Sequence, residues 1–144
     1  MRKEKVSDKK KAKNTNRLYR HMGNFTWRGI KTEEYKTEGD NWAGIVRRVL
    51  IGRHGETTRF HVRYFEIPPS GYSSFEKHRH EHVVIGIRGK GNVLCGKKTY
   101  ELRFLDTLYI APNIPHRLWN PFHKPFGFFC IVNAKRDKPE GLNK

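Results

Sequence analysis

The sequence has little cysteine, no long apolar run and no secretory leader. Its two cysteines, Cys95 and Cys130, are too few for a disulfide framework and belong to no CxxC pair. No stretch approaches the roughly 20 apolar residues that a transmembrane helix needs, and no apolar segment follows the basic residues at the start. We therefore predict a protein without a membrane span, in the reducing environment of the cytoplasm.

Acidic residues are scarce: 14 Asp and Glu stand against 30 Lys and Arg, for a formal net charge of +16. Such an excess invites nucleic-acid binding. However, residues 1–20 hold nine basic and two acidic side chains, or +7, which leaves +9 for the other 124 residues. Residues 1–16 have too few apolar side chains to offset their ordering entropy, so we expect a disordered basic tail. No DNA-reading helix or exposed aromatic-basic pattern is evident, so nucleic acid is not expected as the main partner.

Helical periodicity is also missing beyond about residue 40. Short apolar runs alternate with turn residues at intervals of about ten, which is typical of a β-sandwich or barrel. We predict an all-β single domain: a barrel over 43–135, an N-terminal arm over 17–42 that packs on it as a lid or edge strand, and a C-terminal tail over 136–144. The predicted strands are 43–51, 58–67, 72–78, 82–88, 92–95, 99–104, 107–111, 116–120 and 127–133.

Histidine, by contrast, is plentiful, and three of the eight histidines lie together. His78, His80 and His82 alternate with other residues, and Glu76 shares their parity, so a strand would place all four on one face. Imidazole and carboxylate donors suit Zn, Mn, Fe or Ni, although a solvated charged face is the alternative. Residues four apart in a strand are separated by about 13 Å. His78 and His82 can therefore share one ion only if the chain turns at 79–81.

These residues resemble the first of two motifs of the cupin family, G(X)5HXH(X)3-4E(X)6G. Counting back from Gly89, His82 stands in the place of the motif's Glu. His78 stands in the place of its second His, and Glu76 in the place of its first. Glu76 is a departure from the pattern, and a His in the place of the Glu occurs in metal-binding members of the family.

The second motif, G(X)5PXG(X)2H(X)3N, is matched by His116 and Asn120, whereas Leu105, Ala111 and Asn113 replace its Gly, Pro and Gly. The resemblance spans about residues 43–133 and implies a double-stranded β-helix, or jelly-roll barrel. It also implies one divalent transition metal on four ligands: Glu76, His78, His82 and His116. We favour Mn, Fe or Ni because no thiolate joins the set, with Zn as an alternative. If the strand continued straight through residues 79–81, His80 could replace Glu76 or His82 as a metal ligand.

A narrower similarity, over 75–82, 88–91 and 127–139, is to bacterial cupins of the methylthioxylulose-phosphate methylsulfurylase group. It implies a metal-dependent enzyme that acts on a small anionic, sugar-phosphate-like metabolite by Lewis-acid chemistry at a carbonyl or enediolate. His80 would move a proton, and Cys130 would react at sulfur or give a proton. The alternative for Cys130 is a buried structural cysteine.

Two further expectations concern partners. A substrate phosphate would need guanidinium groups, for which Arg63, Arg48 and Arg47 are the candidates. Cupins commonly pair through an edge strand, so a homodimer is the default expectation. The competing hypothesis is a non-catalytic cupin that binds a metal or small molecule as a sensor or storage module.

Overall fold

A computed structural model describes residues 14–35, 43–136 and 140–141 of the protein. Most of the predicted basic tail, residues 1–13, lies outside the described residues, as does 36–42 of the predicted arm. The described parts contain no helix, and hence none that is long and apolar enough to cross a membrane. They hold thirteen strands: β1 (His21–Gly23), β2 (Thr26–Trp27), β3 (Glu33–Glu34), β4 (Val46–Ile51), β5 (Phe60–Ile67), β6 (Glu76–Lys77), β7 (His82–Arg88), β8 (Gly91–Cys95), β9 (Lys98–Leu102), β10 (Thr107–Ile110), β11 (His116–Trp119), β12 (Phe126–Asn133) and β13 (Glu140–Gly141).

The strands form two antiparallel sheets that pack face to face, together with a small β1–β2 hairpin. The six-stranded sheet has the order β10-β7-β12-β5-β4-β3, and the five-stranded sheet has the order β13-β6-β11-β8-β9. Apolar side chains alternate along these strands, and those on the inner faces form one core. Its members include Phe65, Ile67, Val84, Ile110, Leu118, Phe126 and Phe128. The predicted all-β, single-domain barrel is confirmed by this architecture.

The bend between β6 and β7 is the local feature that makes a site possible. The predicted strand at 72–78 is reduced to Glu76–Lys77, and the buried Ser73 side chain takes part in the pairing with β11 that precedes it. Its hydroxyl donates to the carbonyl oxygen of Ser74 at 3.1 Å and accepts from the amide of Leu118 at 2.9 Å. After β6 the chain bends at residues 79–80 and re-enters the other sheet at His82.

The N-terminal arm covers the outer face of the six-stranded sheet. Rings from the β1–β2 hairpin pack against that face, with Phe25 stacked on Tyr64 at 5.8 Å and Trp27 edge-on to Tyr64 at 5.4 Å. Gly127 on β12 makes room for this layer, since a Cβ there would lie 2.0 Å from the Tyr64 hydroxyl. Farther along, β3 pairs with β4 as an edge strand. The far end of the chain also contributes a strand, because β13, inside the predicted tail, pairs with β6.

Three motif positions have structural explanations. Leu105 and Asn113, which replace glycines of the cupin pattern, have φ angles of 68° and 62°. They therefore keep the left-handed backbone that glycine adopts without strain. Asn120 is fully buried, and its Nδ2 donates to the carbonyl oxygens of Ile67 and Lys124 at 2.9 and 2.8 Å. It joins the end of β5 to the loop before β12.

Candidate metal centre and active-site cavity

A cavity of about 200 Å³ opens between the two sheets at one end of the barrel. Its floor is apolar, built from inner-face side chains such as Phe65, Ile110 and Leu118. Histidines, one carboxylate, one cysteine and arginines line the rest of it. A mostly apolar cleft with a few convergent polar groups is the usual form of a small-molecule site.

Three imidazoles meet in this cavity. One ligand atom from each of His78, His82 and His116 lies within 4.8 Å of the other two. The Nε2 atoms of His78 and His82 are 3.0 Å apart, a distance that only the bend between β6 and β7 permits. His116 enters from β11, with its ring centroid 4.9 Å from that of His78 and 5.1 Å from that of His82.

The outward-facing nitrogens of two of these rings are already engaged. Nδ1 of His78 lies 3.2 Å from the carbonyl oxygen of His80, and Nδ1 of His116 lies 2.9 Å from that of Ile114. A carbonyl only accepts, so each Nδ1 carries the proton and donates, which leaves the lone pair on Nε2. Metal-bound histidines are oriented in the same way, by a hydrogen bond from the nitrogen that does not bind the metal. This donor set fits a divalent transition ion.

The protonation of the rings fits the same role. Burial lowers the pKa of His82, and the neighbouring His116 and His78 lower it further. Burial also lowers the pKa of His116, against an opposing effect of its bond to Ile114. Both imidazoles are therefore neutral at pH 7, which is the form that coordinates metals.

Two other predicted site residues adjoin the three histidines without joining their cluster. Glu76 is buried, lines the cavity and pairs with His116 across the β6–β11 ladder. His80 lies at the mouth, with its ring stacked on His78 at 3.8 Å and nearly parallel. Neither belongs to the group within 4.8 Å that the described residues contain.

Cys130 connects the histidines with an arginine. It is buried on β12, and its Sγ lies 3.3 Å from Nδ1 of His82. On the other side, Nη2 of Arg63 donates to the same sulfur at 3.4 Å. Cys130 and Arg63 are direct cross-strand partners on β12 and β5, so the register of two long strands fixes this contact. The thiol thus lies inside the cavity.

The barrel agrees with what known proteins show. Residues 63–132 match the cupin domain family. A 1-methylthio-D-xylulose 5-phosphate methylsulfurylase from Rhodospirillum rubrum is 34% identical over 117 residues, which covers 81% of this chain and 74% of the relative. The chain belongs to the cupin family.

Solved cupins share the whole architecture. A cupin 2 conserved barrel domain protein from Rhodopseudomonas palustris superposes with a TM-score of 0.81 at 29% identity, over 88% of this chain and 87% of that one. A cupin 2 domain-containing protein from Halorhodospira halophila is 34% identical with a TM-score of 0.67, over 89% and 86% of the two chains. Both superpositions cover 88–89% of this chain and so extend beyond the predicted barrel at 43–135.

The predicted substrate-binding arginines separate in the structure. Arg63 lines the cavity, but Arg48 lies on the outer face of the sheet. There its Nε donates to Thr32 at 3.0 Å, and its guanidinium lies over Tyr64. Side chains alternate along a strand, so it is the neighbouring Arg47 that reaches the cavity. Arg48, predicted to bind the substrate, is therefore not placed to contact a ligand in this cavity.

The sequence analysis did not predict two of the residues that line the cavity, Tyr35 and Arg136. Tyr35, from the arm, hydrogen-bonds the side chain of Ser74, and burial together with the nearby Glu76 charge raises its pKa, so it stays protonated. Arg136 was assigned to the C-terminal tail but also lines the cavity. Nothing in the pattern around Tyr35 marked it, whereas Arg136 falls within the 127–139 similarity.

Proposed function

We propose that this cupin is a metal-dependent enzyme that acts on a small phosphorylated ketose or a closely similar anionic metabolite. The main observation is that three imidazoles, a thiol and an arginine lie in one small cavity, with His82 in contact with Cys130. The similarity to a methylsulfurylase supports the same class of substrate.

The metal would be held by Nε2 of His78, His82 and His116, with the Glu76 carboxylate as a fourth donor beside them. Nitrogen and oxygen donors without a thiolate favour Mn, Fe or Ni, with Zn as the alternative. When bound, such an ion acts as a Lewis acid that polarises a substrate carbonyl and stabilises the enediolate oxygens.

The chain itself supplies binding and proton transfer. Arg63 offers guanidinium N–H groups to an anionic substrate group. His80, stacked at the mouth, is placed to move a proton between the substrate carbon and solvent. Tyr35 adds a hydroxyl that remains protonated and so can donate to a substrate oxygen.

Cys130 is the proposed nucleophile. Its sulfur forms a bond to a methylthio sulfur while the carbon–sulfur bond of the substrate breaks, and that carbon takes a proton in its place. The products of this step are a methyl disulfide on Cys130 and a deoxy ketose phosphate, so atoms and electrons balance. A second thiol, supplied as a dithiol reductant, then releases methanethiol and restores Cys130.

The experiment is turnover of 1-methylthio-D-xylulose 5-phosphate by metal-loaded protein in the presence of a dithiol. We expect methanethiol from the wild type and from Cys95→Ser, the matched control thiol, and none from Cys130→Ser. Equal rates for Cys130→Ser and wild type would make Cys130 a packing residue. Metal-loaded wild type without turnover of this or related ketose phosphates would instead support the non-catalytic sensor or storage cupin.

Two broader aspects belong to the same proposal. Both cysteines are free thiols, which accords with a cytoplasmic location. We also propose a homodimer, which light scattering after gel filtration would detect as twice the 17.0 kDa of one chain. A mass of 17.0 kDa across the micromolar range would contradict it.

A further inference from the structure

Positive side chains outnumber negative ones in the lining of the cavity. Its lining includes three arginines, Arg47, Arg63 and Arg136, but among the described residues only one carboxylate, Glu76. This count takes only Arg, Lys, Asp and Glu side chains and leaves out the histidines, three of which are the proposed metal ligands. The cavity therefore carries a formal excess of two positive charges, and a cleft of one sign concentrates ligands of the other.

One N–H donor of the Arg63 guanidinium is unpaired in the part of the chain that the structure describes. Its Nη2 donates to Cys130, and its guanidinium lies over the Phe65 ring at 4.9 Å. Its Nε, however, is buried and has no hydrogen-bond partner among the described residues. A buried charged donor left unpaired is costly, and such exceptions in folded proteins call for an explanation. An anion in the cavity would supply the missing acceptor.

Arg136 is held in place from outside the cavity. Its Nη1 lies 2.9 Å from Nδ1 of His61 and donates to the carbonyl oxygen of Asn133 at 2.9 Å. Burial, followed by the nearby charges of Arg136 and Arg63, lowers the pKa of His61, which keeps that ring neutral and able to accept. The anchoring of Nη1 fixes the guanidinium at the mouth, where a groove is also lined by Arg79 and Lys135.

The third arginine is partly neutralised and has a supporting role. Nε and Nη2 of Arg47 both donate to Glu33 Oε1, at 3.2 and 3.1 Å, and Arg53 pairs with the second oxygen of that carboxylate. Arg63 and Arg136 have no such carboxylate partner among the salt bridges of the described residues. These two guanidiniums are the ones whose charge a ligand would meet.

We propose that Arg63 and Arg136, flanked by Arg47, form an anion subsite that takes a phosphate monoester. Two guanidinium groups offer several N–H donors to the oxygens of one phosphate. That this phosphate belongs to the substrate rests on the proposed function, whereas the subsite itself rests on the geometry of the arginines.

The position of the subsite also predicts how a substrate is oriented in the cavity. Contacts run from His82 to Cys130 at 3.3 Å and from Cys130 to Arg63 at 3.4 Å, and Arg136 lies beyond at the mouth. A substrate with its phosphate at Arg136 would therefore present its other end to Cys130 and the histidines. A ketose that carries phosphate at one end and the reacting carbon at the other has this arrangement.

The test is an isothermal calorimetric titration in which inorganic phosphate is added to the protein. The metal content of each protein sample is measured beforehand. We expect Arg136→Gln and Arg63→Gln each to weaken phosphate binding by about tenfold or more, the effect of losing one charge-assisted contact. Arg136→Lys should recover part of the affinity. Arg59→Gln, an exposed arginine outside the cavity, is the control and should bind like the wild type.

The outcomes separate this subsite from its neighbours. Wild-type affinity in a folded Arg136→Gln variant would overturn the proposal. So would phosphate binding that is lost in His116→Ala but retained in both arginine variants, because the phosphate would then sit on the metal. If phosphate binding depends on the arginines but no ketose phosphate is turned over, the subsite stands and the proposed function fails. Turnover by Arg136→Gln with the KM of the wild type would support the proposed function and contradict the placement of the substrate phosphate in this subsite.

Discussion

The sulfur of Cys130 lies 3.3 Å from Nδ1 of His82, on the opposite side of the ring from the nitrogen that faces His78. His82 therefore stands between the thiol and the point where the three Nε2 atoms converge. Cys130 can therefore hydrogen-bond a proposed metal ligand without being one itself. This separation distinguishes the site from a thiolate metal centre, and it has a spectroscopic consequence.

The first prediction concerns cobalt-substituted protein. Because Cys130 is not in the group of ligand atoms, Co²⁺ should bind with nitrogen and oxygen donors alone. Its absorption spectrum should lack the strong near-ultraviolet band that thiolate-to-cobalt charge transfer produces, and Cys130→Ser should leave the visible bands nearly unchanged. A charge-transfer band that disappears in Cys130→Ser would place the sulfur on the metal and contradict the arrangement of His82.

The second prediction concerns the histidines themselves. His116→Ala removes one of three converging imidazoles, so purified protein should lose most of its bound metal, and the melting temperature should no longer fall on chelation. His123→Ala is the matched control, because His123 is exposed and lies outside the cavity. Elemental analysis of both variants makes the comparison. Full occupancy in His116→Ala would remove the proposed site.

The third prediction is a pH dependence of the metal-free protein. The pKa of His82 and of His116 is lowered in the folded state, chiefly by burial. Below the ordinary value of about 6.5, the unfolded chain binds protons that the folded chain refuses, so stability decreases as the pH falls. His82, whose pKa is lowered to about 2, should alone contribute a loss of about 1 kcal/mol between pH ~7.5 and ~5.5, and His116 should add to it in the same direction.

Urea unfolding in the presence of a chelator measures this loss. His82→Gln should show a shallower dependence over the same range, because one of the three histidines with a lowered pKa, His61, His82 and His116, is gone. The range stays above the ordinary pKa of carboxyl groups, so Glu33 and Glu56, whose pKa values are also lowered, contribute little there. Greater stability at the lower pH would contradict the buried neutral state of these rings.

The fourth prediction concerns backbone strain. Leu105 has a φ of 68° and a largely exposed side chain, so Leu105→Gly relieves strain and sacrifices little burial. We expect the free energy of unfolding to rise by about 1 kcal/mol. Asn113→Gly, at a φ of 62°, should gain only a few tenths, since Asn tolerates this region better. Chemical denaturation checks both, and a loss of stability in Leu105→Gly would contradict the interpretation.

Local pattern predicted much of this molecule. The strand at 82–88 follows from a run of β-branched residues bounded by glycine, and the bend at 79–81 follows from the requirement that His78 and His82 meet. By contrast, choosing between Arg47 and Arg48 requires the register of β4 on β5, which contains an irregularity between Val49 and Ile51. Long-range pairing of this kind leaves no mark in the spacing of either strand.

Contributions from outside the barrel were harder to predict for a different reason. Tyr35 and Arg136 belong to segments without strand periodicity, and each reaches the cavity because a neighbouring backbone pairs with the barrel. The amide of Tyr35 donates to the carbonyl oxygen of Ile45, and that of Ala134 to the carbonyl oxygen of Arg59. Such docking depends on tertiary contacts that sequence spacing does not record.

The bend between β6 and β7 has a mechanical meaning as well as a chemical one. His78 and His116 belong to the five-stranded half of the barrel, and His82 opens a strand of the six-stranded half. An ion bound by all three would cross-link the two sheets at the open end, where no backbone ladder joins β6 to β7 among the described residues. Loss of the ion would then make the entrance of the barrel less rigid, so that one bound ion would control both the stiffness of the entrance and the capacity for catalysis.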